Sequence, residues 1–335
     1  MPIKVNDKLA AIVQLQEEGI FTMTEERAHS QRVRPLKVCI LNLMPLKKPT
    51  EIQLLRLLGN SPLQIEVDFC RTVSRETTHT DNSYLDRAYL EFKDIKDRYY
   101  DAFLMTGAPV ETYAFEDVDY WQEITAYLDW AEFHCYSTMT LCWGAQAALY
   151  HYYGVNKTVL PAKMFGIFPY GLTVRNHPLL RGFDDRYFIP QSRHTAVDDD
   201  AIDACKALQV LSRSVENGIN ICATKDLRRI FVLGHFEYDR YTLADEYYRD
   251  KKKGLPIAIP EYYFPDNDTT QQPVFKWRSY AHLFYMNWLN IVYQDTPYDL
   301  TQLAPADGDK LNKALNEYNR ILLQLQQLGA DVKSK

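Results

Sequence analysis

Short apolar segments alternate with amphipathic segments in the first half of the chain, and this order constrains the fold more than any other feature. The first of these segments is apolar and contains β-branched residues, as a buried strand does, and the second alternates apolar and polar residues. The amphipathic segments have helical spacing, and glycines close two of them. The predicted strands are residues 36–43, 63–70, 101–105 and 136–141, and the predicted helices are residues 50–58, 120–132 and 144–153.

Strands and helices that alternate at these lengths predict an α/β fold, with a mostly parallel sheet and helices on both faces. From residue 159 onward the pattern changes to shorter strands separated by turn residues. The predicted strands in this part are residues 166–174, 208–214, 219–224 and 229–233, the last two forming a hairpin around Lys225 and Asp226.

The pattern divides the 335 residues into three parts. Residues 1–35 are predicted to form an N-terminal arm with one helical stretch (7–18), and residues 36–300 the main domain. Residues 301–335 form a tail in which apolar side chains recur at helical spacing between 309 and 328. A stripe of this kind either packs on the body of the protein or contacts a partner.

Composition and charge exclude several classes of protein. A net charge of −6 argues against a general nucleic-acid binder, which needs a basic face. The sequence offers no apolar window long enough to span a membrane and no signal peptide at its start, so a cytosolic location is expected. None of the six cysteines belongs to a CxxC pair, so no metal site is predicted and reduced thiols are expected.

Cys142 stands between a predicted strand and a predicted helix, which is the context of a nucleophile elbow. The positive end of the following helix favours the thiolate form of the side chain. The backbone N–H of Trp143 is then available to an oxyanion. Thr140 stands where such elbows usually have glycine, so the motif is only moderately specific.

His235 and Glu237 follow a predicted strand with one residue between them. An extended segment places both side chains on one face, where the imidazole can take a proton and the carboxylate can orient it. Gly107 lies in a loop after another strand and can supply a second oxyanion donor, although an ordinary βα turn has the same sequence features. A nucleophilic cysteine, a His-x-Glu pair and a glycine loop on a parallel sheet resemble the class I glutamine amidotransferase-like architecture.

Several longer segments make the chain resemble the homoserine O-acyltransferases of methionine biosynthesis, from residue 1 to about residue 290. Those segments are residues 34–38, 41–45, 60–64, 106–109, 142–148, 181–185, 234–239 and 277–279. The resemblance implies ping-pong transfer, in which Cys142 takes an acyl group from acyl-CoA and His235, oriented by Glu237, activates the hydroxyl of homoserine. It also implies substrate binding by Lys163, Ser192 and Arg249, whose guanidinium suits a carboxylate.

Glu111 matches the family position that separates acetyl from succinyl transferases. Acetyl enzymes carry Glu there and succinyl enzymes carry Gly, because a carboxylate beside the thioester fills space and repels the free carboxylate of succinyl-CoA. The sequence therefore predicts a homoserine O-acetyltransferase that uses acetyl-CoA as donor substrate. The alternatives are a homoserine O-succinyltransferase, a glutaminase or other amidotransferase, and a binding module of the same fold without catalysis.

The remaining expectations concern partners. The resemblance implies a homodimer and small-molecule substrates, and no bound cofactor, nucleic acid or membrane is expected. Lys47 and Lys48 follow the first strand and are candidates for contact with CoA phosphates, although a solvated loop fits them equally well.

Overall fold

One mixed sheet of eleven strands organises the part of the chain that the structure describes. The computed structural model describes residues 3–5, 9–17, 22–23, 34–74 and 81–303. The strands are β1 (Ile3–Val5), β2 (Thr22–Met23), β3 (Leu36–Leu41), β4 (Ile65–Cys70), β5 (Tyr100–Met105), β6 (Cys135–Leu141), β7 (Lys157–Leu172), β8 (Arg186–Val197), β9 (Leu208–Ser214), β10 (Gly218–Thr224) and β11 (Arg229–Val232). Their order across the sheet is β2-β1-β4-β3-β5-β6-β11-β10-β9-β7-β8.

Helices connect and cover these strands. They are α1 (Ile12–Glu17), α2 (Lys47–Leu58), α3 (Asn82–Ala88), α4 (Phe92–Ile95), α5 (Trp121–His134), α6 (Trp143–Tyr153), α7 (Asp199–Ala204), α8 (Thr242–Lys252) and α9 (Arg278–Asp295), with 3-10 turns at Pro178–Leu180, Pro265–Asn267 and Leu300–Gln302. Among the described residues, none of these helices combines the length and apolar character needed to span a membrane.

The central strands β4, β3, β5, β6 and β11 run parallel to one another, which confirms the predicted α/β fold. Their carboxyl ends therefore meet at one edge of the sheet. The predicted hairpin is also confirmed, since β10 and β11 pair antiparallel with Ile221 opposite Val232.

Helices cover both faces of the sheet, and β3 shows why. Val38 and Ile40 belong to one apolar core, together with side chains of α2 and α9. Cys39 and Leu41 belong to a second core, together with side chains of α5 and α6. Because neighbouring residues of a strand point to opposite faces, a strand of this composition is buried on both sides.

The second half of the sheet is antiparallel and was only partly predicted. β7 and β8 form a hairpin of 16 and 12 residues, whereas the sequence predicted a strand only at 166–174. The first half of β7 is largely exposed and lacks regular apolar alternation, so its strand character had no periodic signal. Helices α8 and α9 were also not predicted.

The predicted arm contributes β1 and β2 to the edge of the sheet, where both pair in parallel with their neighbours. The proposed boundary near residue 35 stays a prediction. The tail helix predicted at 309–328 lies outside the described residues.

Helix α2 begins at Lys47, so the alternative that this lysine lies in a solvated loop is wrong. Lys47 is only 4% exposed, and its Nζ donates a hydrogen bond of 2.6 Å to the Asn42 carbonyl oxygen. The ammonium also lies over the ring of Tyr89, 5.8 Å from its centroid. Burial lowers the pKa of Lys47 to about 8, although the neighbouring Glu51 acts in the opposite direction.

We expect Lys47 to make the free energy of unfolding rise with pH between about 8 and 10.5. Its pKa is lower in the fold than in the unfolded chain, so the unfolded chain binds more protons in this window and loses stability relative to the fold as pH rises. Urea denaturation at several pH values should show a smaller rise for Lys47→Met than for the unmodified protein. Lys48→Met, at an exposed neighbour, is the control, and equal slopes for all three proteins would contradict the expectation.

Gly144 allows α6 to approach the loop after β5. A Cβ at this position would lie 2.6 Å from the Thr106 carbonyl oxygen and 3.2 Å from that of Met105. Backbone atoms cannot yield as a side chain does, so the contact requires a residue without a Cβ.

Gly144→Ala should lower the free energy of unfolding by about 1–3 kcal/mol, the usual cost of overpacking. Gly171→Ala is the matched control, because a Cβ there meets its nearest atom at 3.7 Å. Chemical denaturation of both variants measures the difference. An equally small loss of unfolding free energy in the two variants would contradict the expectation, because it would mean that the loop after β5 moves to accommodate the added methyl group.

Candidate active site

Cys142 occupies the sharp turn between β6 and α6. Its φ is 49° and its ψ is −118°, a conformation that costs free energy for a residue with a side chain. The turn is held on both sides: the Cys142 N–H donates to the Val232 carbonyl oxygen (2.8 Å), and the Cys142 carbonyl oxygen accepts from the Gln146 N–H (3.1 Å). This is the backbone of a nucleophile elbow.

The predicted oxyanion donors lie beside this elbow. Trp143 begins α6, and the first N–H groups of a helix have no acceptor within the helix. A Cβ added to Gly107 would lie 3.2 Å from the Cys142 Cβ and 3.6 Å from the Trp143 nitrogen. The loop after β5 therefore reaches the nucleophile. That the two amides bind an oxyanion stays a prediction.

His235 and Glu237 meet directly. Nδ1 of His235 lies 2.7 Å from Glu237 Oε1, and both side chains are at least 93% buried. A carboxylate only accepts hydrogen bonds, so Nδ1 carries the proton and Nε2 is the atom available to a reactant. Nε2 is buried and has no hydrogen-bond partner among the described residues. The Tyr238 ring stacks on the imidazole at a centroid distance of 4.0 Å, which fixes its plane.

The groups around His235 favour its protonated form. Burial alone lowers the pKa of His235, but the negative charges of Cys142 and Glu237 outweigh burial and raise this pKa well above its ordinary value. The cysteine thus lies close enough to act on the ring. An imidazolium between a thiolate and a carboxylate is the arrangement in which a cysteine is a ready nucleophile.

Glu246, which was not predicted, contacts all three predicted substrate-binding residues. Its Oε1 lies 2.5 Å from Lys163 Nζ and 3.7 Å from Arg249 Nη2, and its Oε2 accepts a 2.8 Å hydrogen bond from Ser192. These residues come from β7, β8 and α8, elements that were mostly not predicted. The available signal was local, since Glu246 and Arg249 have the i,i+3 spacing of an ion pair on one helix face.

Glu111 lies close to both groups of residues. Burial raises the pKa of its carboxyl group, while the His194 backbone N–H and the charges of Lys163 and His235 act in the opposite direction. Its Oε2 is buried and has no hydrogen-bond partner among the described residues. The carboxylate thus lies within electrostatic reach of the imidazole and of the Lys163–Glu246 pair.

Lys47 is a predicted site residue whose side chain is buried within the fold. Its Nζ is used inside the fold by the Asn42 carbonyl oxygen. A contact with CoA phosphates stays a prediction that this conformation does not favour. Gly107, Cys142 and His235 follow the carboxyl ends of the parallel strands β5, β6 and β11, where the chemistry available is nucleophilic attack by a sulfur assisted by a histidine.

Solved structures with this architecture include glutamine amidotransferases. One, from Thermotoga maritima, has a TM-score of 0.53 and 12% identity, and the match covers 78% of this chain and 99% of that one. Another, from Methylobacillus flagellatus, has a TM-score of 0.50 and 14% identity over 77% of this chain and 96% of that one. At this identity the likeness concerns the fold, and it confirms the predicted amidotransferase-like architecture.

Sequence relatives are much more similar. A protein of Agathobacter rectalis named homoserine O-acetyltransferase is 50% identical over 89% of this chain and 97% of its own length. A protein of the same name from Brevibacillus brevis is 51% identical over 90% of this chain and 98% of its own. The family model for homoserine O-succinyltransferase matches residues 2–298. The chain belongs to the homoserine O-succinyltransferase family.

Proposed function

We propose that this protein transfers an acetyl group from acetyl-CoA, through a thioester on Cys142, to the hydroxyl of L-homoserine, giving O-acetyl-L-homoserine. The observation that carries the proposal is the buried His235–Glu237 pair beside a cysteine in an elbow, in a chain about half identical to proteins named homoserine O-acetyltransferase. The reaction needs no bound cofactor, since the donor brings an activated acyl group.

In the first half-reaction the Cys142 thiolate attacks the carbonyl carbon of acetyl-CoA. Negative charge moves to the carbonyl oxygen, next to the N–H groups of Trp143 and Gly107. The C–S bond to CoA breaks, and His235 returns a proton to the leaving sulfur. The imidazolium is available for this step because Glu237 accepts from Nδ1 at 2.7 Å.

In the second half-reaction the direction of proton transfer is reversed. Nε2 of His235 takes the proton of the homoserine hydroxyl while the oxygen attacks the thioester carbon. The tetrahedral intermediate collapses with breakage of the C–S bond, which restores the Cys142 thiolate and releases the ester. Glu237 stabilises the positive charge on the ring in both halves.

The cluster around Glu246 suits an amino-acid acceptor. Lys163 and Arg249 supply cations for a carboxylate, and the guanidinium can bind it through two parallel hydrogen bonds. The Glu246 carboxylate, which already accepts from Lys163 and Ser192, is an anion suited to the ammonium of the same molecule. Glu111 favours acetyl as the transferred group, because its carboxylate occupies space near the thioester and repels a second carboxylate.

Succinyl transfer is the second candidate, since the matching family model carries that name. We place either activity in the cytoplasm, in methionine biosynthesis, and in a homodimer. In this proposal the Glu111 side chain determines which acyl donor is used. A covalent acyl group on Cys142 would distinguish acyl transfer from amidotransferase chemistry.

Intact-protein mass spectrometry tests both choices. Mixing the protein with acetyl-CoA should add one acetyl group at Cys142, and subsequent L-homoserine should remove it, because the thioester waits for an alcohol. Succinyl-CoA should label the protein far less. Preferential labelling by succinyl-CoA would select the second candidate. Ammonia release from glutamine without any labelling would instead indicate an amidotransferase.

The three central residues should differ in their effects on the rate. Cys142→Ser should almost abolish transfer, and His235→Ala should lower kcat/KM by about 100- to 10,000-fold, the range of general-base catalysis. Glu237→Ala should cost less than either, since it acts through the histidine. Steady-state kinetics would measure this order, with Cys205→Ser at a half-buried cysteine as the control. If Glu237→Ala were the most damaging variant, the assigned roles would be incorrect.

A further inference from the structure

The nucleophile and its base lie on different elements of the fold, and strand β8 contacts both. Cys142 directly precedes α6, whereas His235 follows β11. The His235 N–H donates to the Pro190 carbonyl oxygen of β8 at 3.0 Å. Gln146 of α6 shares two hydrogen bonds with Thr195 of the same strand. Strand β8 therefore connects the helix of the nucleophile with the segment of the base.

The contact between β8 and α6 holds the cysteine elbow. The Thr195 hydroxyl donates to Gln146 Oε1 at 2.9 Å, and the Gln146 side-chain amide donates to the Thr195 carbonyl oxygen at 3.3 Å. Both residues are fully buried. The backbone N–H of Gln146 donates to the Cys142 carbonyl oxygen at 3.1 Å, so a displacement of Gln146 also displaces the nucleophile.

The contact between β8 and the histidine segment is a close packing of side chains on backbone. Gln191 donates through Nε2 to Asn220 Oδ1 at 3.1 Å. A Cβ added to Gly234, the residue before His235, would lie 2.8 Å from each of these two atoms. The two amides therefore lie directly on the Gly234 backbone, where a residue with a side chain would displace them.

Arg193 joins these two contacts. Its guanidinium donates to Gln191 Oε1 (3.1 Å), to the Thr195 carbonyl oxygen (2.9 Å) and to the Asn217 carbonyl oxygen (3.2 Å). Arg193 is only 1% exposed, and among the described residues no carboxylate forms a hydrogen bond with it. A buried cation with neutral acceptors is costly, but the planar guanidinium fixes the directions of all three bonds. It thereby fixes the separation of the groups that it bonds.

The two faces of β8 contact different parts of the site. Neighbouring residues of a strand point to opposite faces. Gln191, Arg193 and Thr195 are buried, whereas Ser192 is only half-buried and donates to Glu246 in the acceptor cluster. A change on the buried face should therefore affect the reaction rate more than the affinity for the acceptor.

We propose that Arg193 and Thr195 are positioning residues, which hold the Cys142 elbow in alignment with the His235 imidazole. The inference rests on the proposed acyl-transfer function, in which the histidine serves the sulfur in one half-reaction and the hydroxyl in the other. Such alignment matters because a displacement of about 1 Å can cost roughly 100-fold in rate.

Alkylation of Cys142 by iodoacetamide tests the alignment, because it requires the thiolate but neither acetyl-CoA nor homoserine. Thr195→Val removes the hydroxyl and keeps the shape of the side chain. It should lower the alkylation rate at pH 7 by about 10-fold, since a displaced imidazolium stabilises the thiolate less. The difference should disappear near pH ~10, where the thiolate forms without this help. Peptide mass spectrometry follows Cys142 separately from the other cysteines.

Steady-state kinetics of the same variant provide the second readout. Thr195→Val should lower kcat by about 10- to 100-fold and change the KM for L-homoserine by less than about twofold. Thr195→Ser keeps the hydroxyl and should retain most of the rate. Arg193→Lys keeps the positive charge but loses the three-bond geometry, so it should behave like Thr195→Val.

Thr296→Val is the matched control. It removes a buried hydroxyl that donates to the Val292 carbonyl oxygen of α9 at 2.6 Å, and it should leave both rates unchanged. Chemical denaturation of Thr195→Val and Thr296→Val checks that both variants are folded under the conditions of the assay.

Three results would overturn the inference. The first is an unchanged alkylation rate at pH 7 in Thr195→Val, and the second is an equal loss in Thr296→Val. The third is a full rate in Arg193→Lys, which would assign the effect to charge. A failure of the proposed function is distinguishable from all three, since the unmodified protein would then form no acetyl thioester whatever its alkylation rate.

Discussion

The strained backbone of Cys142 is the constraint on which the rest of the site depends. A residue with a side chain holds a positive φ only where its surroundings impose it, and here both neighbouring strands contribute. The Val232 carbonyl oxygen of β11 accepts from the Cys142 N–H, and the end of β5 packs against Gly144 in the first turn of α6. The strands β5, β6 and β11 must therefore lie side by side and parallel before the sulfur can reach its position.

The same arrangement sets the electrostatics of the site. β11 leads into the segment with His235, so the register that fixes Cys142 also brings the imidazole to it. Burial lowers the pKa of His235, but the interactions of the ring with Cys142 and Glu237 outweigh burial and raise this pKa. For Glu111 burial is the larger effect: it raises the pKa of the carboxyl group and so disfavours the charged form. Glu237 and Glu111 both lie near His235, but they differ in surroundings: Glu237 is hydrogen-bonded to the ring, whereas Glu111 Oε2 has no hydrogen-bond partner among the described residues.

The sequence was sufficient for the residues that stand at strand ends. Cys142, His235 and Gly107 each follow a strand that the sequence predicted, and a parallel sheet brings such positions together. It was insufficient for Glu246, which lies on α8 and contacts the β7–β8 hairpin. These elements are half-exposed and have mixed polarity, so tertiary pairing rather than periodicity defines them. Lys47 shows a different failure: the two adjacent lysines fitted either a CoA contact or a solvated loop, yet the helix starts there and buries the first of them.

The contacts of Glu246 have a consequence for how an acceptor enters. Its carboxylate is already engaged by Lys163 and Ser192, so these side chains are oriented before any substrate arrives. In the proposed acceptor site, an incoming zwitterion would exchange one set of ionic contacts for another and would not have to order flexible side chains in open water. Much of the entropy loss that recognition normally entails has then been met when the polypeptide folds.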